Sequence, residues 1–207
     1  PQSLIILGMG KLGARELNFS SDVDLIFVYP EAGATQGDRS VSNEEFFTTV
    51  CRRLIKMFDT ASMAANVYRV DTRLRPYGDG GPIVMNCEAF EAYYEAQGRE
   101  WERYAMIKAK PVAGDLAAGR QILDTLRPFI YRRYFDYGSF DSFRDMKQRI
   151  SLQVKSAKLK HNIKLGAGGI REIEFFGQLF QLIWGGVEPA LQVRPILEVL
   201  DLLAELE

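Results

Sequence analysis

The chain has no apolar run near the ~18 residues that span a bilayer, and no signal-peptide pattern at its start, so no membrane partner is expected. It also lacks a charge bias. Lys and Arg number 26 against 27 Asp and Glu, a net charge of −1, so no strong basic field points to nucleic acid. Its two cysteines, Cys51 and Cys87, have neither metal nor redox spacing, which excludes a disulfide framework and suits a reducing cytoplasm. The one histidine, His161, ends a basic helical pattern with Lys158 and Lys160, where a cation complements a helix dipole. No internal repeat or low-complexity tract appears. What remains is 207 residues at 47% hydrophobic, enough for one large domain or two small ones. The chain opens on Pro1 straight before a strand and stops at Glu207 inside an apolar helical pattern, which reads as a fragment.

The most informative stretch runs from Gly10-Lys11-Leu12-Gly13 through Ser20-Ser21-Asp22-Val23-Asp24 into the apolar Leu25-Ile26-Phe27-Val28. A glycine turn precedes two carboxylates at i and i+2, and on a strand residues two apart share a face. Paired hard oxygens are what a magnesium ion carrying phosphates requires. A competing pattern overlaps it. Leu4–Leu7 reads as a strand, and Gly8-Met9-Gly10-Lys11-Leu12-Gly13 fits the dinucleotide fingerprint, with Glu31 about 20 residues on as the ribose acid. That unit needs a full helix between its strands, and only Lys11–Phe19 is available. Its acid belongs at the far end of the second strand, whereas Asp22 and Asp24 sit at the near end. A third reading makes both aspartates solvated strand-end residues.

Val67–Pro76 alternates as a half-buried strand, with Tyr68, Val70, Thr72 and Leu74 on one face and Arg69, Asp71, Arg73 and Arg75 on the other. Alone, this is a salt-bridged surface strand. Beside the Asp22/Asp24 strand, Asp71 becomes a third ligand flanked by phosphate-binding guanidiniums. Three such carboxylates can hold two metal ions for in-line displacement at phosphorus.

Glu31–Ser42 reads as a mobile loop, followed by a helix capped by Ser42 or Asn43 and running to about Ser62. A turn at Pro76–Gly81, a short strand at Pro82–Met85 and helices over Glu88–Gln97 and Arg99–Lys108 complete the first part. Lys108 and Lys110 alternate like strand-end or loop groups, either solvated or reaching phosphate. From Asp115 the periodicity is helical, so a boundary is expected near Val112–Asp115, dividing the chain into 1–114 and 115–207. Helices are expected over Asp115–Tyr134, Ser139–His161, Ile170–Trp184 and Val193–Glu207. Between the second and third, Asn162–Gly169 is a glycine-rich loop feeding a helix N-terminus. It is either an anion site with free backbone N–H groups or a flexible connection. On the following helix Ile170, Ile173, Gly177, Phe180 and Trp184 form the expected core stripe. Glu174 falls at its edge and Glu172 points away.

The glycine turn, D-x-D strand and third acid together resemble the nucleotidyltransferase superfamily with the DNA polymerase beta-type fold. The strings GMGKLGARELNFSSDVDLIF, RVDTRLRPYGDGGPIV, EAYYEAQGREWERYAMIKAKPVAGD and NIKLGAGGIREIEFF are similar to glutamine synthetase adenylyltransferase, and their wording to its N-terminal, adenylyl-removing half. Lys11 stands where the wider superfamily has serine, as in the adenylyltransferases. The resemblance implies an α+β fold, with a mixed sheet and helices followed by an all-helical domain. It implies magnesium, as two ions with manganese as substitute, on Asp22, Asp24 and Asp71. It further implies nucleotide-phosphate contacts from Gly10, Lys11, Gly13, Ser21, Arg73, Arg75, Gly168, Gly169 and Glu174, with the glycine loop closing over the site. The implied reaction is removal of AMP from a glutamine synthetase tyrosine by phosphate, giving ADP, in a cytoplasmic enzyme answering to the signalling protein PII. Forward adenylylation from ATP, a non-enzymatic regulatory module and a dinucleotide oxidoreductase are the alternatives.

Overall fold

The computed structural model describes residues 2–19, 21–36, 38–65, 69–134, 141, 143–145, 147–148, 162–164, 166 and 168–206, with side chains left aside at 60–65. The expectations for Ser20, for Val67 and Tyr68, and for His161 with most of the helix over Ser139–His161 lie outside these residues. The chain forms two compact units, one of Pro1–Gly98 with Lys108–Arg127 and one of Arg99–Ile107 with Pro128–Glu207. The boundary expected near Val112–Asp115 falls inside the first.

The first unit is built on a five-stranded mixed sheet whose centre is β2 (Val23–Tyr29). From Leu25 to Tyr29 every residue of β2 is buried, as a strand covered on both faces must be. On one side β2 pairs antiparallel with β1 (Ile5–Gly8). On the other it pairs in parallel with β3 (Val70–Asp71) at its start and with β4 (Val84–Asn86) at its end. The antiparallel pairing, Ile5 opposite Val28 and Gly8 opposite Leu25, excludes the dinucleotide unit, whose strands run parallel around a full helix. Among the described residues between the two strands, only the single turn α1 (Gly10–Gly13) is helical.

The odd-numbered face of β2 packs Val23, Leu25, Phe27 and Tyr29 against Phe47 and Cys51 of α2 (Asn43–Ala65). Burial pushes the Cys51 thiol up to about 12, so it serves as a small hydrophobe rather than a nucleophile. The α2 helix is capped by Ser42, whose hydroxyl accepts from the Glu45 N–H at 3.1 Å. The loop expected to be mobile is closed by backbone bonds: Thr35 N–H to Val41 O at 2.9 Å and Asn43 N–H to Gly33 O at 2.8 Å. Helices α3 (Cys87–Gln97) and α5 (Leu116–Thr125) complete this unit.

Two elements depart from expectation. Lys110–Gly114 forms β5, an edge strand antiparallel to β1. Pro111 and Gly114 hide it in the sequence, yet an edge strand tolerates a missing N–H. A register shift between Ile6 and Leu7 absorbs the irregularity. The helix expected over Asp115–Tyr134 breaks into α5 and α6 (Arg127–Ile130), because Pro128 has no N–H to extend the ladder. Asp115 caps α5, accepting from Ala117 and Ala118 N–H groups at 3.0 Å.

The described part of the second unit is helical: α4 (Glu100–Met106), α7 (Ile170–Trp184) and α8 (Ile196–Glu205), with a 3-10 turn at Pro189–Leu191. The α7 face predicted to be buried is corrected. Ile170, Ile173 and Trp184 are exposed, while Phe175, Gly177, Gln178, Gln181 and Leu182 are buried. The inward face tolerates glutamine because Gln181 Nε2 donates to Leu191 O at 2.6 Å and Val193 O at 2.7 Å. Arg103, only 1% exposed, donates from Nε to Ile130 O at 2.8 Å and from Nη2 to Leu182 O at 3.0 Å. Its Nη1 pairs with Glu100, which also holds Arg132 at 3.0 Å.

Candidate active site

The site assembles where β2 begins. Parallel pairing sets Val23 opposite Val70 and Asp24 opposite Asp71, so the two carboxylates stand side by side on one face. Asp22 precedes β2, exposed, and its carboxylate accepts from Arg69 Nε at 2.9 Å and Nη2 at 2.8 Å. Like charges directly opposite on a sheet destabilise it unless a cation intervenes. Here the cation beside Asp71 is Arg73, whose Nε and Nη2 donate to the carboxylate at 2.9 and 2.5 Å while its own N–H donates at 2.9 Å. These bonds hold the Asp71 carboxyl below the usual carboxylate range despite partial burial. Asp71 therefore stays ionised through neutral pH, and its stabilising pair is lost only in acid, as pH falls through the lowered pKa.

The long arginine strand is corrected. Pairing stops at Asp71, and the chain turns, so Arg73 and Arg75 leave the strand face. Arg75 is 8% exposed and donates to Thr72 O at 2.9 Å, Thr72 Oγ1 at 3.0 Å and Pro82 O at 3.2 Å, which makes it the tie of its own loop. Arg73, with 72% of its side chain exposed, is the guanidinium that can reach a phosphate.

Beside Asp24 lies the glycine turn. The Met9 N–H donates to Asp24 O at 2.9 Å, and a Cβ on Gly10 would come within 3.1 Å of Asp24 Oδ2. Gly10 also holds φ +50°, so glycine is favoured there by backbone and by proximity. A Cβ on Gly13 would sit 1.8 Å from Lys108 O, a contact that only glycine allows. Lys108 grips the same segment twice, since its buried ammonium pairs with Glu16 at 3.0 Å. That replaces the phosphate-reaching role considered for it. Ser21 turns its hydroxyl to Asn18. Lys11, the cation of the turn, forms no ion pair among the described residues.

The residues fit a divalent cation in donor type and placement: hard carboxylate oxygens, two of them in direct register beside a glycine with no Cβ to intrude. As they stand, no three acidic groups converge on one point among the described residues, because Asp22 and Asp71 face arginines. The Asp22–Arg69 pair is exposed, and pairs of this kind are worth only about 0–1 kcal/mol, so a cation can exchange with Arg69 cheaply.

Gly168, Gly169, Glu172 and Glu174 belong to the second unit. The N–H groups expected to be free for an anion are occupied there. Gly168 N–H donates to the Glu172 carboxylate at 2.8 Å, Ile170 N–H to Ile163 O at 3.0 Å and Arg171 N–H to Lys164 O at 3.1 Å. Glu174 lies near Tyr104, whose hydroxyl pKa is raised first by burial and then by that carboxylate.

Residues 1–125 match the glutamate-ammonia ligase adenylyltransferase family, and residues 144–207 match the GlnD PII-uridylyltransferase family. Three relatives carry the name bifunctional glutamine synthetase adenylyltransferase/adenylyl-removing enzyme. The protein of Nitrosococcus oceani is 59% identical over 99% of this chain, that of Thioalkalivibrio sulfidiphilus 55% over 100%, and that of Pseudomonas putida 57% over 97%. The chain spans 21% of the length of each.

Proposed function

The chain belongs to the glutamate-ammonia ligase adenylyltransferase family, with its polymerase-beta-type nucleotidyltransferase fold, and we propose on that premise that it is the adenylyl-removing catalytic segment. The observation that carries the catalytic part is the Asp24–Asp71 register beside the glycine turn, with Arg73 as the adjacent cation. The choice of removal over attachment is supported by the wording ELNFSSD and YYEAQGREWERYAMIKAK. The substrate is glutamine synthetase carrying AMP on a tyrosine, the partner is a PII-type protein, and the compartment is the cytoplasm. Magnesium or manganese held by Asp22, Asp24 and Asp71 would neutralise charge at the reacting phosphorus.

The chain's own residues bind and align the anions. Arg73 and Lys11 draw in inorganic phosphate, and the Gly10–Gly13 turn lets it approach the backbone closely. A phosphate oxygen attacks the AMP phosphorus, the bond to the tyrosine oxygen breaks, and the phenolate leaves to take a proton from solvent. The products are ADP and free tyrosine. Phosphate is already anionic at neutral pH, so positioning and charge neutralisation carry the rate. Arg73→Lys keeps the charge but loses the planar fork. It is expected to raise the phosphate concentration needed for half-maximal rate by about 10-fold, roughly one charge-assisted hydrogen bond. Unchanged phosphate dependence in a rate-versus-phosphate series would make Arg73 purely structural. The reading itself is tested by supplying adenylylated synthetase with phosphate in parallel with unmodified synthetase and ATP. ADP formation in the first and little product in the second is expected, and the reverse would assign the chain to attachment.

A further inference from the structure

Tyr77 is anomalous by every measure that folding sets. Its backbone holds φ +60°, a left-handed conformation shared among described non-glycine residues only with Arg15. Such a conformation costs a bulky side chain on the order of 1–3 kcal/mol. The residue is 51% exposed, so burial does not offset that cost. The ring is nevertheless fixed. It meets Tyr93 edge-on with centroids 4.5 Å apart at 64°, and its hydroxyl accepts from Gln97 Nε2 at 3.2 Å. The loop beneath is equally fixed by the Arg75 bonds to Thr72 and Pro82 and by the Gly78 N–H to Arg75 O at 2.9 Å.

This loop is part of the site. It begins at Asp71–Arg73, a Cβ on Gly78 would lie 3.7 Å from Arg73 O, and Asp79 acts on the Arg73 guanidinium. A flat aromatic surface is therefore held rigidly, half in water, a few residues from the cation that faces the phosphates. A nucleotide anchored there by its phosphates carries a base that needs such a surface. An aromatic ring stacks any base through its π-face, and a ring already ordered loses little entropy in doing so. A rigid, strained, exposed aromatic beside an anion site has the chemistry of a base platform and no evident role in the core.

We propose that Tyr77 is the stacking platform for the nucleobase of the adenylyl group, its strained backbone fixing the ring for that contact. The inference rests on the adenylyl-removing reading. It is tested by calorimetric titration of the chain, with magnesium, against ADP and against inorganic pyrophosphate, which has the phosphates and no base. Tyr77→Gly is the decisive variant, because glycine accepts φ +60° freely and keeps the loop folded. Its ADP affinity is expected to fall about 10- to 100-fold, the range of one base–aromatic stack, with pyrophosphate affinity and thermal midpoint close to those of the unmodified chain. Tyr77→Trp should restore ADP binding. Undiminished ADP binding in Tyr77→Gly, or equal losses for ADP and pyrophosphate, would overturn the platform alone. An unmodified chain that binds pyrophosphate but no ADP, or neither, would remove the nucleotide reading and the platform together.

Discussion

Asp24→Asn is expected to abolish turnover while leaving the fold as stable as before. The substitution is isosteric, and the backbone bond from Met9 N–H to Asp24 O does not involve the side chain. It removes one of two negative charges set directly opposite across β2 and β3, so the sheet loses a repulsion that offsets the attraction lost toward the Arg73 guanidinium. The reaction loses a hard anionic ligand at the point where charge must be neutralised. A loss of about 100- to 1,000-fold or more is expected, as for removal of a single preorganised electrostatic group. Asp22→Asn should act in the same direction on rate and cost at most about 1 kcal/mol of stability, the worth of its exposed pair with Arg69. Initial rates and thermal midpoints measured on the same preparations check both. A rate that fell only as far as the midpoint fell would make these aspartates structural.

The second large effect is on stability. Arg103 donates to carbonyls near the C-terminal ends of two helices, Ile130 O of α6 and Leu182 O of α7, and to Glu100. The cation opposes the negative ends of both helices and satisfies acceptors that would otherwise be buried without donors. Burial alone disfavours its charge, so only these partners justify it. Arg103→Leu leaves two buried carbonyls without their donor and Glu100 with Arg132 as its remaining cation, and is expected to destabilise the second unit by about 3–5 kcal/mol, the scale for breaking a buried pair. Arg103→Lys should recover part of that through charge without the fork. Denaturant unfolding followed by a signal from the second unit, such as Trp184, reads the difference. A leucine variant as stable as the unmodified chain would show that the acceptors find other donors.

These two residues mark what the sequence discloses and what it hides. The placing of Asp24 and Asp71 on neighbouring strands was legible because strand periodicity is local and an apolar run follows Asp24, whereas Asp22, expected on the same strand face, lies one residue before β2. The family strings were legible because they are long. Arg73 and Arg75 were misplaced by the same local rule, since the alternation continues past the last paired residue and only Pro76 signals the turn. Strand β5 was hidden by Pro111 and Gly114, which break its pattern and are tolerated at a sheet edge. The inward face of α7 was misread because Gln178 and Gln181 are buried on it, and the carbonyls that accept from Gln181 Nε2 lie ten or more residues away. Arg103 gave no signal at all, because its acceptors at Ile130 and Leu182 are backbone atoms 27 and 79 residues distant.

The central claim is that this chain removes AMP by phosphorolysis at the Asp22, Asp24 and Asp71 site. The most direct measurement supplies radiolabelled inorganic phosphate and magnesium to the chain with adenylylated glutamine synthetase. Label is expected in the β-phosphate of ADP, in step with recovery of unmodified tyrosine and absent with Asp24→Asn. Release of AMP without incorporated label, or label incorporation undiminished in Asp24→Asn, would contradict the account.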